Sequence, residues 1–133
     1  MLIQLLVLGE KEHTSDYISC LDYLSLYSKT FEVGNYDLHG KNPYRFSELA
    51  SRLMLGKRAL KTLVARGFVT VSGTNQGFVY TITDEGKKVS ESLKLNYAMN
   101  YMDSAIDVQE FFKDYSDEEI LKYINRITQE RTN

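Results

Sequence analysis

Residues 44–82 constrain the fold more than any other stretch of the sequence. They contain two short apolar segments with helical spacing, then a glycine, then two runs of strand formers around a set of turn formers. Ser47 can cap a first short helix, because serine oxygens accept hydrogen bonds from the free N–H groups of a helix start. The apolar side of this helix is predicted to be Leu49, Ala50 and Leu53.

A second helix is predicted from about Gly56 to Gly67, with Gly67 as its C-cap. Its spacing places apolar side chains inward, namely Leu60, Leu63 and Val64. Polar side chains face outward, namely Lys57, Arg58, Lys61 and Thr62. Phe68 to Val71 and Phe78 to Ile82 then bracket the turn formers Ser72 to Gly77, which predicts a β-hairpin. The whole stretch is typical of a winged helix-turn-helix.

The segment before this region is predicted to supply one more helix. Thr14 or Ser15 can cap a helix that runs to about Ser28. Leu2 to Leu8 is apolar but too short to span a bilayer, and it lacks the basic start and cleavage site of a signal peptide. We expect it to be a buried strand or helix turn. Residues 29–44 form a long irregular connection.

After the hairpin, a long helix is predicted from Asp84 to about Phe112, with acidic residues at its start as the helix dipole favours. It carries two apolar stripes, and one core can cover only one of them. The second stripe consists of Leu95, Met99, Met102 and Ile106. We expect another chain, or Leu2 to Leu8, to cover it, because a large exposed apolar patch is a liability. Self-association through the long helix is one such arrangement.

Ser116 and Glu119 have the spacing of a capping box, which predicts a terminal helix over about 117–129. The predicted fold class is therefore mainly α with a small β-hairpin: a winged helix-turn-helix followed by a long helix and a C-terminal helix. With 133 residues, one proline and 43% apolar content, the sequence indicates a single domain over 1–133.

Charge is segregated along the chain although the net charge is only −2. Residues 45–66 carry six basic and one acidic side chain, residues 67–83 carry no charge, and residues 84–133 carry seven basic and eleven acidic side chains. Salt screens charges more than roughly 8 Å apart, so a local basic patch can hold an anionic partner on an acidic protein. The candidate residues for such contact with DNA or a partner protein are Arg52, Lys57, Arg58, Lys61 and Thr62. A solvated helix face is the third interpretation.

The residues that could support catalysis favour structural roles. His39 lies in a loop with no nucleophile or second histidine in a recognisable arrangement. Asp22 is expected to anchor the following loop, through Arg45 or a backbone N–H. Cys20 is the only cysteine, so no disulfide forms within the chain, and it is expected in the core. No metal-ligand spacing or phosphate-binding glycine loop is present, so we expect no metal, no cofactor and a cytoplasmic location.

Four sequence runs carry a resemblance to a known family. They are Leu21-Asp22-Tyr23-Leu24, the loop Leu38-His39-Gly40-Lys41-Asn42-Pro43-Tyr44-Arg45-Phe46, the wing entry Leu63 to Val69, and the exit Gly77-Phe78-Val79-Tyr80. Together they resemble the middle component of bacterial ABC-three component systems, a family similar to the small subunit of Lamassu-type anti-phage defence systems. The resemblance covers roughly residues 17 to 112.

The resemblance implies a non-enzymatic subunit that assembles with an SMC-like ABC ATPase and an effector, commonly a nuclease. It implies structural roles for the motif residues Asp22, Tyr23, His39, Tyr44 and Arg45. The alternative function is a free-standing winged-helix transcription regulator that binds double-stranded DNA. The uncharged wing favours the adaptor, since a stand-alone repressor usually needs basic charge on the wing as well as on the helix. No sequence motif supports an enzyme.

Overall fold

The structure is a computed structural model that describes residues 1–40 and 42–132. Lys41, which belongs to the loop motif, and Asn133, which ends the predicted domain, therefore lie outside the described residues. Six α-helices and three β-strands make up the described part of the chain. In chain order they are α1 (Leu2–Leu8), β1 (His13–Thr14), α2 (Ser15–Leu26), α3 (Leu49–Ala65), β2 (Val69–Thr74), β3 (Gly77–Ile82), α4 (Asp84–Glu91), α5 (Asn96–Phe112) and α6 (Asp117–Thr132).

The predicted fold class is confirmed: the chain is mainly helical with a small antiparallel sheet, in an arrangement like that of a winged helix. The sheet has the order β1-β3-β2. β2 and β3 form the predicted hairpin, with a turn at residues 75–76 and strands longer than predicted. β1 was not predicted; it is a two-residue strand in which His13 pairs with Tyr80 and Thr14 with Val79.

The two helices predicted within residues 47–67 are a single helix, and this prediction was wrong. α3 runs without a break through Gly56. The glycine serves packing instead: a Cβ at this position would lie 1.9 Å from Ser19 Oγ, so its absence lets α3 approach α2 closely. Ser47 does not cap the helix, because its hydroxyl donates to the Tyr44 carbonyl at 2.9 Å and the N-cap position is Glu48.

The long helix predicted over 84–112 is also two helices, with a connection at residues 92–95. Ser92 closes α4, because its backbone N–H donates to Lys88 O at 3.1 Å and its hydroxyl to Val89 O at 2.6 Å. Gly86 fixes α4 against the hairpin, since a Cβ there would lie 2.2 Å from Phe68 O. α5 instead packs on α1 and α2. One straight helix could not satisfy both sets of contacts.

The remaining helices follow local sequence signals. Leu2–Leu8 is helical, which selects the helix from the two expected alternatives. Thr14 caps α2 by accepting from Tyr17 N at 3.2 Å, although the helix ends at Leu26 and not at Ser28. The capping box is confirmed: Glu119 N donates to Ser116 Oγ at 3.2 Å, and Ser116 N donates to Glu119 Oε1 at 3.1 Å.

The buried residues form two clusters. The larger joins α2, α5 and α6 with the loop residue Phe31, and its fully buried members include Tyr23, Leu24, Val108 and Ile124. The smaller joins α1 and α2 to α3 and the hairpin, and consists of Leu5, Ile18, Leu60, Val69 and Ile82. α5 therefore belongs to the larger cluster, whereas α3 contributes the buried Leu60 to the smaller cluster and packs on the larger one through the half-buried Leu49 and Leu53.

Candidate partner-binding surfaces

Basic side chains line the outer face of α3. Lys57, Arg58 and Lys61 are exposed, as their helical spacing predicts. Thr62 is exposed too, but its hydroxyl donates to the Arg58 carbonyl at 3.1 Å, so it is engaged within its own helix. Arg52 is half-buried and its Nε lies 3.6 Å from Glu48 Oε2. Three of the five candidate residues thus present free cationic groups together, and Arg52 is partly neutralised one turn away.

A groove of about 700 Å³ separates this basic face from the hairpin. Strand pairing sets Val71 opposite Tyr80 and Gly73 opposite Phe78, on the same face as the buried pair Val69 and Ile82. Beyond the core, this face continues as an apolar wall of the groove, and Phe78 is 66% exposed. The residues that line the groove are Thr14, Ser15, Asp16, Lys57, Lys61, Val64, Val71, Gln76, Phe78, Tyr80 and Asp117.

Both basic and acidic side chains line the groove. Lys57 and Lys61 lie on the α3 side, while Asp16 and Asp117 lie at the start of α2 and α6. Asp117 also accepts a hydrogen bond from the Thr14 hydroxyl at 2.7 Å, which ties α6 to the sheet. Two carboxylates near the basic pair reduce its attraction for a polyanion. The groove is therefore less suited to DNA than the basic residues alone indicate.

A second surface lies at the start of α5. Leu95 is 75% exposed, Met99 55% and Ile106 48%, whereas Met102 is half-buried against the core. Leu93 and Tyr97 are also exposed, so the apolar surface continues into the connection from α4. α1 covers the neighbouring face of α5, but it leaves these side chains uncovered. The second stripe remains a predicted partner interface.

A buried polar network holds α1, α2 and α5 together. Gln4 has no exposed surface, and its Nε2 donates to Ser25 Oγ at 2.6 Å and to Tyr101 OH at 3.2 Å. Tyr101 in turn donates to Asp22. Burial first, and then the Asp22 carboxylate, raise the pKa of Tyr101 well above its usual range, so the hydroxyl stays protonated and donates. From α5, Gln109 Nε2 donates to Gln4 Oε1 at 2.9 Å.

This network corrects the partner expected for Asp22. Asp22 was predicted to anchor the loop through Arg45 or a backbone N–H, but its partner is Tyr101 of α5. The loop is held instead by Tyr23, whose hydroxyl donates to the Arg45 carbonyl. The Arg45 guanidinium stacks over Phe46, 4.8 Å from the ring centroid, and donates to Asn42 O at 3.0 Å.

The other motif residues differ in exposure. His39 Nε2 lies 3.0 Å from Tyr97 OH, and its ring packs edge-on against Tyr27. The loop thereby reaches the start of α5. Tyr44 is 73% exposed, and it contributes to the fold through its backbone, whose carbonyl accepts from Ser47 N at 3.0 Å. Its side chain is free for contact with a partner.

Cys20 is buried, and burial raises the pKa of its thiol to about 12, so the reactive thiolate is not formed near neutral pH. Among the described residues, no group of three or more His, Cys, Asp and Glu side chains could hold a metal ion. The described helices include none that is long and apolar enough to cross a membrane.

Two features of the structure, one buried and one exposed, were not predicted from the sequence. Gln4 sits in the middle of an apolar heptapeptide, and a lone polar residue there is a signal for a buried hydrogen-bonding group. Phe78 directly follows the turn glycine of the hairpin, where an aromatic side chain lies beyond the core. The presence of both acidic and basic side chains in the groove has no such local signal, because Asp16 and Asp117 lie far apart in the sequence.

The fold and these surfaces define a small helical protein with a winged-helix-like sheet and two exposed surfaces of different chemistry. The family described as "ABC-three component (ABC-3C) system Middle Component 2" matches residues 1–133. The chain belongs to this family, which confirms the resemblance to a middle component of ABC-three component systems and extends it beyond residues 17–112 to the whole sequence. It is accordingly a component of a multi-subunit ABC system. No curated protein and no solved structure shows significant similarity to it.

Proposed function

We propose that the chain is a non-enzymatic adaptor subunit of an anti-phage defence complex, and that it joins an SMC-like ABC ATPase to an effector nuclease. The observation that carries this proposal is the apolar surface at the start of α5, with Leu95, Met99 and Ile106 about half exposed or more, in a chain of the middle-component family. Apolar patches of this kind mark protein interaction sites. A middle component needs at least two partner surfaces, and the α3 groove is available as the other.

The non-enzymatic part of the proposal rests on what the reactive side chains contact. Asp22 accepts from Tyr101, His39 faces Tyr97 and Tyr27, and Cys20 is a protonated thiol in the core. General acid–base catalysis needs a group within hydrogen-bonding reach of a substrate. Each of these three groups instead stabilises a helix or loop contact.

DNA contact is a second candidate function, favoured by Lys57, Arg58 and Lys61 on one exposed helix face. The hairpin turn beside them is uncharged, and Asp16 and Asp117 line the same groove as Lys57 and Lys61. With three to five phosphate contacts at most, binding would be weak and steeply salt-dependent, since log affinity falls by about 0.9 per neutralised phosphate per decade of salt. A specific regulator needs about 10⁻⁸ M or tighter at physiological salt.

The decisive experiment is a tagged pull-down from the native host, with identification of the co-purifying proteins. We expect an ABC ATPase and an effector to co-purify in fixed stoichiometry. In parallel, the isolated chain is titrated with fragments of its own promoter region at about 150 mM salt. Saturable, sequence-specific binding in the nanomolar range, without co-purifying ABC components, would replace the adaptor with the regulator.

Catalysis is tested on the same material. The purified chain should show no turnover of ATP or DNA above background. Hydrolysis that disappears in His39→Gln or Asp22→Asn would overturn the non-enzymatic assignment. Asp22→Asn keeps the size of the side chain, so a folded variant can be assayed.

A further inference from the structure

The second stripe of α5 has the spacing of a coiled-coil seam. Its members Leu95, Met99, Met102 and Ile106 are separated by four, three and four residues. This is the 3.5-residue repeat with which one helix presents side chains to another. At about 1.5 Å rise per residue the seam is roughly 17 Å long, which is enough for about three turns of a partner helix.

On one side, α1 borders the seam and leaves a small cavity, here called the notch. α1 packs along α5 there, and the half-buried Met102 packs against the core cluster to which Ile3 belongs. Between α1, the end of α4 and α5 lies a cavity of about 320 Å³ whose lining includes Ile3, Leu93, Met99 and Met102. This notch has room for large apolar side chains of a partner, next to the most exposed part of the seam.

The other side of the seam is acidic. Asp103, Asp107 and Glu110 follow each other at helical spacing, and all three are exposed. α5 carries no basic residue. Among residues 1–40 and 42–132, the cation that pairs with this row is Lys113, whose Nζ lies 2.9 Å from Glu110 Oε1 at the far end of the row. Asp103 and Asp107 therefore present uncompensated negative charge along the edge of an apolar surface.

This arrangement selects among partners. A second copy of α5 would offer no cation to the acidic row, because α5 carries three acidic and no basic side chains. Like charges placed together in an interface are strongly unfavourable. The acidic row repels nucleic acid for the same reason. A partner helix with basic side chains beside its apolar seam satisfies both features.

We propose that the α5 seam is the docking site for an amphipathic helix of a different protein, with apolar residues on a 3.5-residue repeat and lysine or arginine along the edge that faces Asp103 and Asp107. The identity of that protein as a component of the ABC system rests on the proposed function. The chemistry of the helix rests on the seam alone.

Site-specific crosslinking tests the docking site. A photoreactive p-benzoylphenylalanine replaces Met99 in the full chain in its native host, and the crosslinked peptides are identified by mass spectrometry. Met54 on α3 is the matched control, since its exposure of 58% is close to the 55% of Met99. We expect Met99, and not Met54, to crosslink to a heptad-patterned basic helix of another chain.

The outcomes separate the two proposals. A crosslink to such a helix in a protein outside the ABC system supports the docking site but not the adaptor function. Co-purification of ABC components without that crosslink supports the function and overturns the docking site. A crosslink to a second copy of the chain, to an acidic segment, or equally from Met54 also overturns the docking site.

Charge reversal tests the acidic row. Asp103→Lys combined with Asp107→Lys should weaken binding of the crosslinked partner about tenfold or more, with a reduced dependence on salt, as expected for charges at an interface edge. Glu10→Lys combined with Glu12→Lys is the matched control, because both glutamates are exposed far from the seam in sequence and the change in net charge is the same. An equal loss in both variants would show a non-specific charge effect and overturn the proposal.

Discussion

α3 and α5 have the same length, 17 residues, but they differ in charge and in burial. α3 carries four basic and no acidic side chains, while α5 carries three acidic and no basic ones. α5 buries five residues in the centre of the molecule, whereas α3 buries only Gly56 and Leu60. Both leave large apolar side chains exposed.

The buried face of α5 contributes to stability, and the outer faces of both helices are available for recognition. The buried face of α5 is part of the main core, so its outer face is presented from a rigid support. α3 packs on α2 through the close contact at Gly56 and on both core clusters through Leu60 and half-buried leucines, while its outer face is cationic. Two such faces are what the proposed adaptor would use to hold two chemically different partners at once.

The substitution with the largest expected effect removes the aromatic ring of Phe112, which is buried at the end of α5. Its ring packs against Phe111, Tyr115 and Tyr123 at centroid distances of 4.7 to 5.0 Å. We expect Phe112→Ala to lower the free energy of unfolding by about 3–5 kcal/mol, because truncation leaves a cavity. The measurement is denaturant unfolding followed by circular dichroism. Met54→Ala on α3 should cost less than about 0.5 kcal/mol, and similar losses would break the comparison.

Next in size is the buried network that joins α5 to α1 and α2. Tyr101→Phe removes the donor to Asp22 and the acceptor for Gln4, so we expect a loss of about 1–3 kcal/mol in the free energy of unfolding. Tyr97→Phe on the same helix is the control, because Tyr97 is 51% exposed. Equal and small losses in the two variants would show that the network contributes little.

On α3, the corresponding change is Gly56→Ala, which places a Cβ against Ser19. Overpacking lowers the free energy of unfolding by about 1–3 kcal/mol, whereas the higher helix propensity of alanine raises it by up to about 1 kcal/mol. We therefore expect a net loss of about 1 kcal/mol. Adding Ser19→Gly should recover part of it in unfolding measurements. Gly73→Ala is a control with open space, since the nearest atom to its Cβ is 3.9 Å away. Stabilisation by Gly56→Ala would contradict the close approach.

The smallest expected effect concerns His13, beside the groove. Burial lowers the pKa of His13 in the folded protein below its usual value of 6.5, and its Nε2 is buried without a hydrogen-bond partner. The unfolded chain therefore binds the proton more readily, so the stability contributed above pH 6.5 is lost as pH falls below it. Unfolding at pH 7 and pH 5.5 should show a smaller loss in His13→Gln than in the wild type. An identical loss would contradict this role, and His39→Gln serves as the control.

The sequence predicted those elements whose signals are local. The Ser116–Glu119 box, the Thr14 cap and the hairpin each depend on contacts within a few residues, and all three are confirmed. The basic face of α3 also follows from spacing, because a helix exposes residues three and four apart on one side. The family resemblance is likewise carried by short sequence runs.

The tertiary structure decided what local signals could not. Gly56 resembles a break in sequence, but its role depends on Ser19 in another helix. α4 and α5 are separate helices because Gly86 of α4 packs against the hairpin and α5 packs against α1. Gln4 and Tyr101 are 97 residues apart, and only the packed core brings them together. Burial is a property of neighbours in space, so spacing could predict the apolar stripe within residues 95–106, but only the position of α1 decided which of its side chains stay uncovered.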